Sequence, residues 1–235
     1  MPVYINATAN RLIFGTGSQY TVGSAMTVGC WFKLDNIIAD RYLGARWNSV
    51  DGQRCWVFLV RNTTGKLDFI VSGNGIATKS ILATNGVSAG VWNHVVCRYD
   101  GAYIYLDVNG SSAAAPVAWS SGILEAVAAS VTIGALAGAA DTLSAKSSIF
   151  DFRMYTRYLS DAECYELYAA KGRDSVFDSN MALRTCIKNG YAGNSLLGQI
   201  VHDHSINKNN ITVTGAPTVT EDPYSTVKPP VFVAR

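Results

Sequence analysis

Three side chains that could build a catalytic triad stand close together in the sequence: His94, Asp107 and Ser112. In such a triad the imidazole lies between the hydroxyl and the carboxylate, because it accepts a proton from the first and is oriented by the second. The surrounding sequence predicts three consecutive antiparallel strands, with Asp107 on the middle strand. That order puts the carboxylate in the centre. The three residues therefore predict a cross-strand pair of His94 with Asp107, and no triad.

The strands that carry these residues are predicted from two turn signals within residues 92–115. Asp100-Gly101 and Asn109-Gly110 each suit a type I′ turn, which needs positive φ at both central residues, and β-branched or aromatic residues flank both pairs. Counting through two-residue loops predicts the register of this meander: Cys97 faces Ile104, Val95 faces Leu106, and Leu106 faces Ala113. One side of the ribbon is then continuously apolar and is expected to face a core.

The other side of the meander carries the candidate ligand-binding residues. These are Tyr103, Tyr105, Arg98, His94 and Asp107. The tyrosine rings, together with Trp31 of an earlier strand, can stack on sugars, and the polar groups beside them can form hydrogen bonds. An alternative stays open, because the same aromatic residues also suit a second layer of core or an interface.

Further strands are predicted from alternating or continuous apolar runs bounded by turn residues. They are residues 12–14, Met26 to Leu34, a hairpin of Cys55 to Arg61 with Lys66 to Val71, residues 131–133, and Ile149 to Arg157. In the last run, alternation predicts Phe150, Phe152 and Met154 on one face, with Asp151, Arg153 and Tyr155 on the other.

The sequence clearly predicts one helix. Ser160 and Glu163 form a capping box, and Gly172 follows the last expected turn, so a helix is predicted from Asp161 to about Ala170. Many short strands with Gly-rich turns and a single helix predict the fold class. It is an all-β antiparallel sandwich of the jelly-roll type.

Composition narrows the classes of function. Of 235 residues, 49% are apolar and 15% are charged, the net charge is +2, and no basic stripe exists. We therefore expect neither a nucleic-acid nor a membrane partner. The five cysteines are odd in number, irregularly spaced and without a Cys-x-x-Cys motif, which predicts reduced thiols made in a cytosol. Residues 1–8 have no basic or apolar signal region, so no secretory signal is expected.

The character of the chain changes beyond residue 171. Residues 1–171 are predicted to form the sandwich, whereas residues 172–235 lack sustained periodicity and hold four of the six prolines. A Pro-rich extended chain cannot build its own core. We therefore expect residues 172–235 to be an extended arm that packs on the sandwich or on a neighbouring subunit. A homo-oligomer, or docking on a larger assembly, follows from that expectation.

Three segments, in order, resemble the concanavalin A-like lectin/glucanase superfamily, specifically its laminin G-like jelly-roll branch. They are Met26-Thr-Val-Gly-Cys-Trp-Phe-Lys33, Trp92-Asn-His-Val-Val-Cys-Arg-Tyr-Asp-Gly101 with Leu106-Asp-Val-Asn-Gly110, and Ile149 to Glu163. Residues 201–217 also resemble a passage of tailed-phage virion proteins and of other proteins with this jelly roll, with Ile206 where glycine is usual. The resemblance implies a lectin-like sandwich.

The number and positions of the acidic residues indicate which activities of that superfamily to expect. Its glucanases use clustered acidic residues, because retaining hydrolysis needs two carboxylates about 5–5.5 Å apart. The four glutamates are scattered: Glu125, Glu163, Glu166 and Glu221. We therefore expect no enzymatic activity and no catalytic residue. Calcium sites are common in laminin G-like domains, and Asp141 and Asp151 are the candidate ligands, with solvated loop aspartates as the alternative. No other cofactor is expected.

These patterns lead to two hypotheses of function. The first is a non-enzymatic virion structural or decoration protein, assembled in the host cytoplasm and displayed on the virion surface, with capsid or appendage proteins as partners. It depends on the reduced cysteines, the low charge, the missing signal and the resemblance of residues 201–217. The second is a carbohydrate-binding adhesion module of a cellular or secreted protein. A glycan ligand is compatible with both.

Overall fold

Successive side chains of a strand point to opposite sides of the sheet, so alternating apolar residues give a sheet one apolar face. Two such faces are buried against each other when two sheets stack. The structure, a computed structural model, describes residues 2–5, 10–48, 52–123, 128–136, 146–176, 178–185, 203–205, 207–208, 211–215 and 217–219. Within these residues the chain forms two antiparallel sheets and one α-helix. The predicted all-β sandwich with a single helix is confirmed.

The strands are given in chain order. They are β1 Val3–Ile5, β2 Arg11–Ile13, β3 Met26–Leu34, β4 Arg41–Asn48, β5 Gln53–Val60, β6 Lys66–Ser72, β7 Thr78–Gly86, β8 Trp92–Tyr99, β9 Tyr103–Val108, β10 Ser111–Ser112, β11 Val117–Ala118, β12 Val131–Ile133, β13 Ser147–Tyr155, β14 Met181–Arg184, β15 Thr212–Thr214 and β16 Thr218–Val219. The helix α1 spans Asp161–Ala170, and a short 3-10 helix spans Ser18–Tyr20.

The two sheets differ in strand order. Sheet A runs β10-β9-β8-β3-β13-β1-β16, with β11 also paired to β9 and β14 to β13. Sheet B runs β15-β2-β12-β4-β5-β6-β7. Most neighbours within a sheet are distant in sequence, as a jelly roll requires.

The core lies between the facing sides of the two sheets. Phe58 of sheet B and Phe152 of sheet A stack with ring centroids 6.1 Å apart. Gly44 of β4 lies directly beneath both rings, because a Cβ there would be 2.6 Å from Phe152 and 2.7 Å from Phe58. Burying each such aromatic or aliphatic side chain stabilises the fold by roughly 1.5–3 kcal/mol.

The second turn of the meander is as predicted. Asn109 and Gly110 have φ of 52° and 78°, the left-handed values of a type I′ turn. The Ala113 N–H donates to the Leu106 carbonyl at 2.8 Å. The predicted pairing of β9 with the segment after this turn is therefore confirmed.

The first turn of the meander is longer than predicted. Leu106 faces Cys97 and Val108 faces Val95, so the predicted pairs Cys97–Ile104 and Val95–Leu106 are wrong. The Asp100 carboxylate accepts hydrogen bonds from the backbone N–H groups of Ala102 and Tyr103, at 2.8 and 2.7 Å. This side-chain turn opens the loop beyond two residues. The register moves by two, which keeps every side chain on its predicted face.

A β-bulge interrupts β13, so the face predicted for Phe150 is wrong. Two residues, Asp151 and Phe152, oppose a single residue of β3, and Asp151 has a left-handed φ of 49°. Phe152 and Met154 lie in the core as predicted. Phe150 does not, because the bulge turns it to the outer side, where its ring lies against Gly172.

Helix α1 has the predicted bounds and start. The Ser160 side chain accepts a hydrogen bond from the Glu163 backbone N–H, and the Glu163 carboxylate accepts one from the Ser160 N–H, so the capping box is confirmed. The helix is followed by its C-cap residue Lys171, whose φ of 50° is left-handed. Within the described ranges, no helix has the length and apolar character needed to cross a membrane.

The described parts of residues 172–235 add strands to both sheets. β14 pairs with β13 and β16 with β1 in sheet A, whereas β15 pairs with β2 in sheet B. Ile211 and Val213 pack against the main core. Cys30, Cys97 and Cys164 are buried free thiols, Cys55 is also buried, and Cys186 lies outside the described residues.

Candidate functional site

Arg98 anchors the outer face of sheet A. Its guanidinium is 2% exposed and lies 2.7 Å from both Asp107 and Asp161. The rings of Tyr105 and Tyr158 flank it, with centroids 5.2 and 4.9 Å from the guanidinium carbon. Burial raises the pKa of Asp107, and Arg98 offsets only part of that rise. Arg98, paired with Asp107 within the sheet, therefore holds the start of α1 through Asp161, and neither Arg98 nor Asp107 is available to a ligand.

His94 lies buried under α1 and does not pair with Asp107. Its ring is 5.0 Å from that of Trp31 and 6.1 Å from that of Tyr168, centroid to centroid. Val96, not His94, faces Asp107 across the β8–β9 pair, so the predicted cross-strand pair is wrong. The cause is the longer first turn. Burial lowers the pKa of His94 to about 3, so the imidazole is neutral at physiological pH.

Tyr103 and Tyr105 lie at the other end of the same outer face. Together with Tyr158 they form what we call the tyrosine surface, with ring centroids 6.4 Å apart between Tyr103 and Tyr105 and 5.3 Å between Tyr105 and Tyr158. Tyr103 is 44% exposed. The Tyr105 hydroxyl donates to Asp100 at 2.7 Å, which raises the pKa of Tyr105 to about 12. The surface is thus a fixed, uncharged aromatic platform beside a carboxylate.

Asp151, a candidate calcium ligand, is engaged by two arginines. Its two oxygens lie 2.8 Å from Arg153 and 2.9 Å from Arg184, and its side chain is almost fully buried. Two guanidinium groups at these distances oppose a cation at the same carboxylate. Asp141, the second candidate, lies outside the described residues. Among the residues the structure describes, no group of three or more acidic, His or Cys side chains has a metal-binding arrangement.

A groove that the sequence did not predict lies where the edges of the two sheets meet, and we call it the rim groove. It has a volume of about 710 Å³ and lies between the end of β7, the loop that follows it, the start of β8 and the turn after β9. The Thr84 N–H donates to the Ala113 carbonyl at 2.8 Å, which joins the two sheets at this point. Sequence analysis placed Asn109 in a predicted turn but gave no sign of a groove beside it.

The chain belongs to the Concanavalin A-like lectin/glucanases superfamily, because the laminin G-type model of that family matches residues 6–164. No curated protein matches the sequence. A proposed carbohydrate binding protein from Bacteroides ovatus has a similar structure, with a TM-score of 0.63 and 14% identity over 94% of this chain and 60% of that one.

Two other solved structures share the fold. The native heptameric SAP-like pentraxin of Limulus polyphemus has a TM-score of 0.57 and 16% identity, over 73% of this chain and 83% of that one. The botulinum neurotoxin serotype D ligand binding domain, solved with N-acetylneuraminic acid, has a TM-score of 0.54 and 13% identity, over 84% of this chain and 51% of that one. The chain thus spans 60% of the Bacteroides protein and about half of the toxin domain. At these identities the likeness concerns the fold alone.

Proposed function

We propose that this chain is a non-enzymatic glycan-binding module. The superfamily includes lectins, and two structural neighbours carry names that refer to carbohydrate or sialic acid binding. The observation that carries the proposal is the tyrosine surface. An exposed tyrosine ring offers its face to the C–H groups of a sugar, and the neighbouring rings hold it in place.

Hydrogen bonding at the tyrosine surface also suits a sugar. Asp100 accepts bonds from two backbone N–H groups and from the Tyr105 hydroxyl, and remaining lone pairs can accept sugar hydroxyls. Burial alone would raise the pKa of Asp100, but these hydrogen bonds outweigh it and lower the pKa. The carboxylate therefore stays ionised at neutral pH as a hydrogen-bond acceptor.

The same groups argue against hydrolysis. A glycosidase needs one carboxyl that donates a proton and a second one at a defined distance. Asp100 is held ionised, and Asp107 lies beneath the surface in an ion pair with Arg98. Assays of reducing-end release from a panel of glycans should therefore give no activity, and release that stops when Asp100 is replaced would overturn this part of the proposal.

Binding is tested with two variants of one residue. Tyr103→Ala removes the stacking ring, and we expect it to weaken glycan binding about two- to twelvefold, as aromatic contacts of roughly 0.5–1.5 kcal/mol imply. Tyr103→Phe keeps the ring and should bind like the unchanged protein. Calorimetry on glycans found by array screening provides the measurement. Equal affinity of all three proteins would remove the tyrosine surface from the proposal.

We also propose that the module acts on the surface of a virus particle, as a homo-oligomer or docked on other virion proteins after assembly in the host cytoplasm. Support comes from the similarity of residues 201–217 to a passage of tailed-phage virion proteins, which other proteins with this jelly roll also have. The alternative is an adhesion module of a cellular or secreted protein. Mass spectrometry of purified virions and light scattering of the full-length chain separate the two: absence from particles, with a monomer in solution, favours the alternative.

A further inference from the structure

The rim groove is built from neutral polar groups. Of its lining side chains, three are amides and three are hydroxyls, namely Asn85, Asn93, Asn109, Thr84, Ser88 and Ser112. The rest are valines, alanines and one glycine, so the lining holds no ionisable side chain. Its volume of about 710 Å³ falls within the range typical of small-molecule sites, about 300–1,000 Å³.

A chain of hydrogen bonds fixes two of the amides. The Asn109 Oδ1 accepts from the His94 backbone N–H at 2.8 Å, and its Nδ2 donates to the Asn93 Oδ1 at 3.0 Å. The Asn93 Nδ2 in turn donates to the Val91 carbonyl at 3.1 Å, and Asn93 is only 5% exposed. Each amide nitrogen has two N–H groups and uses one here. Both side chains are therefore preorganised, with donor capacity left for a ligand.

The chemistry of the lining selects a class of ligand. An anionic ligand would find no positive charge among these residues, and a purely apolar ligand would leave the amides without partners at a cost of about 1–3 kcal/mol each. Hydroxyl groups of a sugar both donate and accept, as amides do, and Val87 and Val91 can cover the apolar side of a ring. The fit is to a neutral, polyhydroxylated ligand.

We infer that the rim groove is a binding site for a neutral oligosaccharide, separate from the tyrosine surface. The inference rests on the proposed glycan-binding function and specifies a second place and a sugar class for it. Asn85, Asn93 and Asn109 bind hydroxyl groups, and the rigid Asn93–Asn109 pair sets the position of the ring. Sialylated or sulfated sugars bind less well, because nothing in the lining compensates their charge.

The test uses two neighbouring residues of the loop after β7. Ser88 lines the groove and Ala89 does not, and both are exposed, so neither substitution disturbs the core. Ser88→Trp should block the groove and raise the Kd for uncharged oligosaccharides about tenfold or more, whereas Ala89→Trp should leave it unchanged. Asn85→Ala tests the same site without adding bulk. Calorimetry would compare uncharged oligosaccharides of glucose, galactose, mannose or N-acetylglucosamine with their sialylated forms.

The outcomes separate this inference from the proposed function. Loss of neutral-sugar binding in Ser88→Trp but not in Ala89→Trp supports the site. Binding that is lost only in Tyr103→Ala overturns the rim groove and leaves the glycan-binding function standing. Preference for sialylated forms at the groove overturns the neutral class. Failure of every sugar to bind the unchanged protein overturns both proposals.

Discussion

Arg98 is the residue of the outer face whose loss we expect to cost most stability. Its pair with Asp161 contributes only roughly 0–1 kcal/mol, because that carboxylate is 88% exposed. The pair with Asp107 is different, since both side chains are buried and 2.7 Å apart. Removing one partner of such a pair leaves an uncompensated charge, which costs about 3–5 kcal/mol. We therefore expect Arg98→Met to lower the free energy of unfolding by about 3–5 kcal/mol at pH 7.

Urea denaturation followed by circular dichroism measures this loss, and two controls sharpen it. Asp161→Asn removes the exposed partner and should cost less than about 1 kcal/mol. Arg98→Met combined with Asp107→Leu removes both buried charges and should recover part of the loss. If Arg98→Met costs no more than Asp161→Asn, the buried pair of Arg98 with Asp107 does not supply the expected stability and the reasoning fails.

The pH dependence gives an independent check on the same variant. Burial already raises the pKa of Asp107 above its unfolded value, and removing Arg98 removes the contribution that lowers it. The folded state then binds this proton more tightly than the unfolded state, so stability rises as pH falls through the folded pKa. The gap between Arg98→Met and the unchanged protein should therefore be smaller at pH 5 than at pH 7. A gap that widens on acidification contradicts this account.

Three further predictions concern the helix and the core. Ser160→Ala removes the N-cap acceptor and should cost about 1 kcal/mol in urea denaturation, so an unchanged midpoint would contradict it. Gly172→Ala should cost about 1–3 kcal/mol in the same assay, because φ is 78° there and the new Cβ would lie 2.2 Å from the Phe150 ring. Cys30 and Cys97 are fully buried and burial raises the pKa of both thiols, so thiol reagents should modify them only on unfolding; fast labelling of the native protein would disprove this.

The strands that sequence analysis found are those with alternating or continuous apolar runs. β4 was missed because a bulge between Tyr42 and Gly44 breaks its period of two. Arg46 of β4 is also fully buried, and its guanidinium donates to the carbonyls of Tyr20 and Ala129. A charged residue in the sequence does not indicate a buried strand position, so this arginine also concealed the strand. β7 was missed for another reason. As an edge strand it buries few side chains, so its sequence is mostly polar.

The site was only partly predictable for a related reason. Local sequence predicted that α1 exists and where it begins, because capping is a contact between near neighbours. It did not predict where α1 docks, which depends on contacts such as that of Arg98 with Asp161, distant in sequence. His94 and Asp107 consequently looked like surface residues of a binding face. The open alternative, that the aromatic residues form a second layer of core or an interface, describes Trp31, which is 2% exposed and lies beside His94.

The position of α1 also determines which surfaces remain for a ligand. The helix covers the outer face of sheet A from Trp31 and His94 to Arg98, and on strand β9 it leaves Tyr103 exposed. Tyr103 lies at one end and Val108, in the rim groove, at the other, about 17 Å apart at 3.3–3.4 Å per residue. A short glycan cannot span that distance while also following the two surfaces. The tyrosine surface, on the outer face of sheet A, and the rim groove, where the edges of the two sheets meet, are therefore expected to act as separate sites.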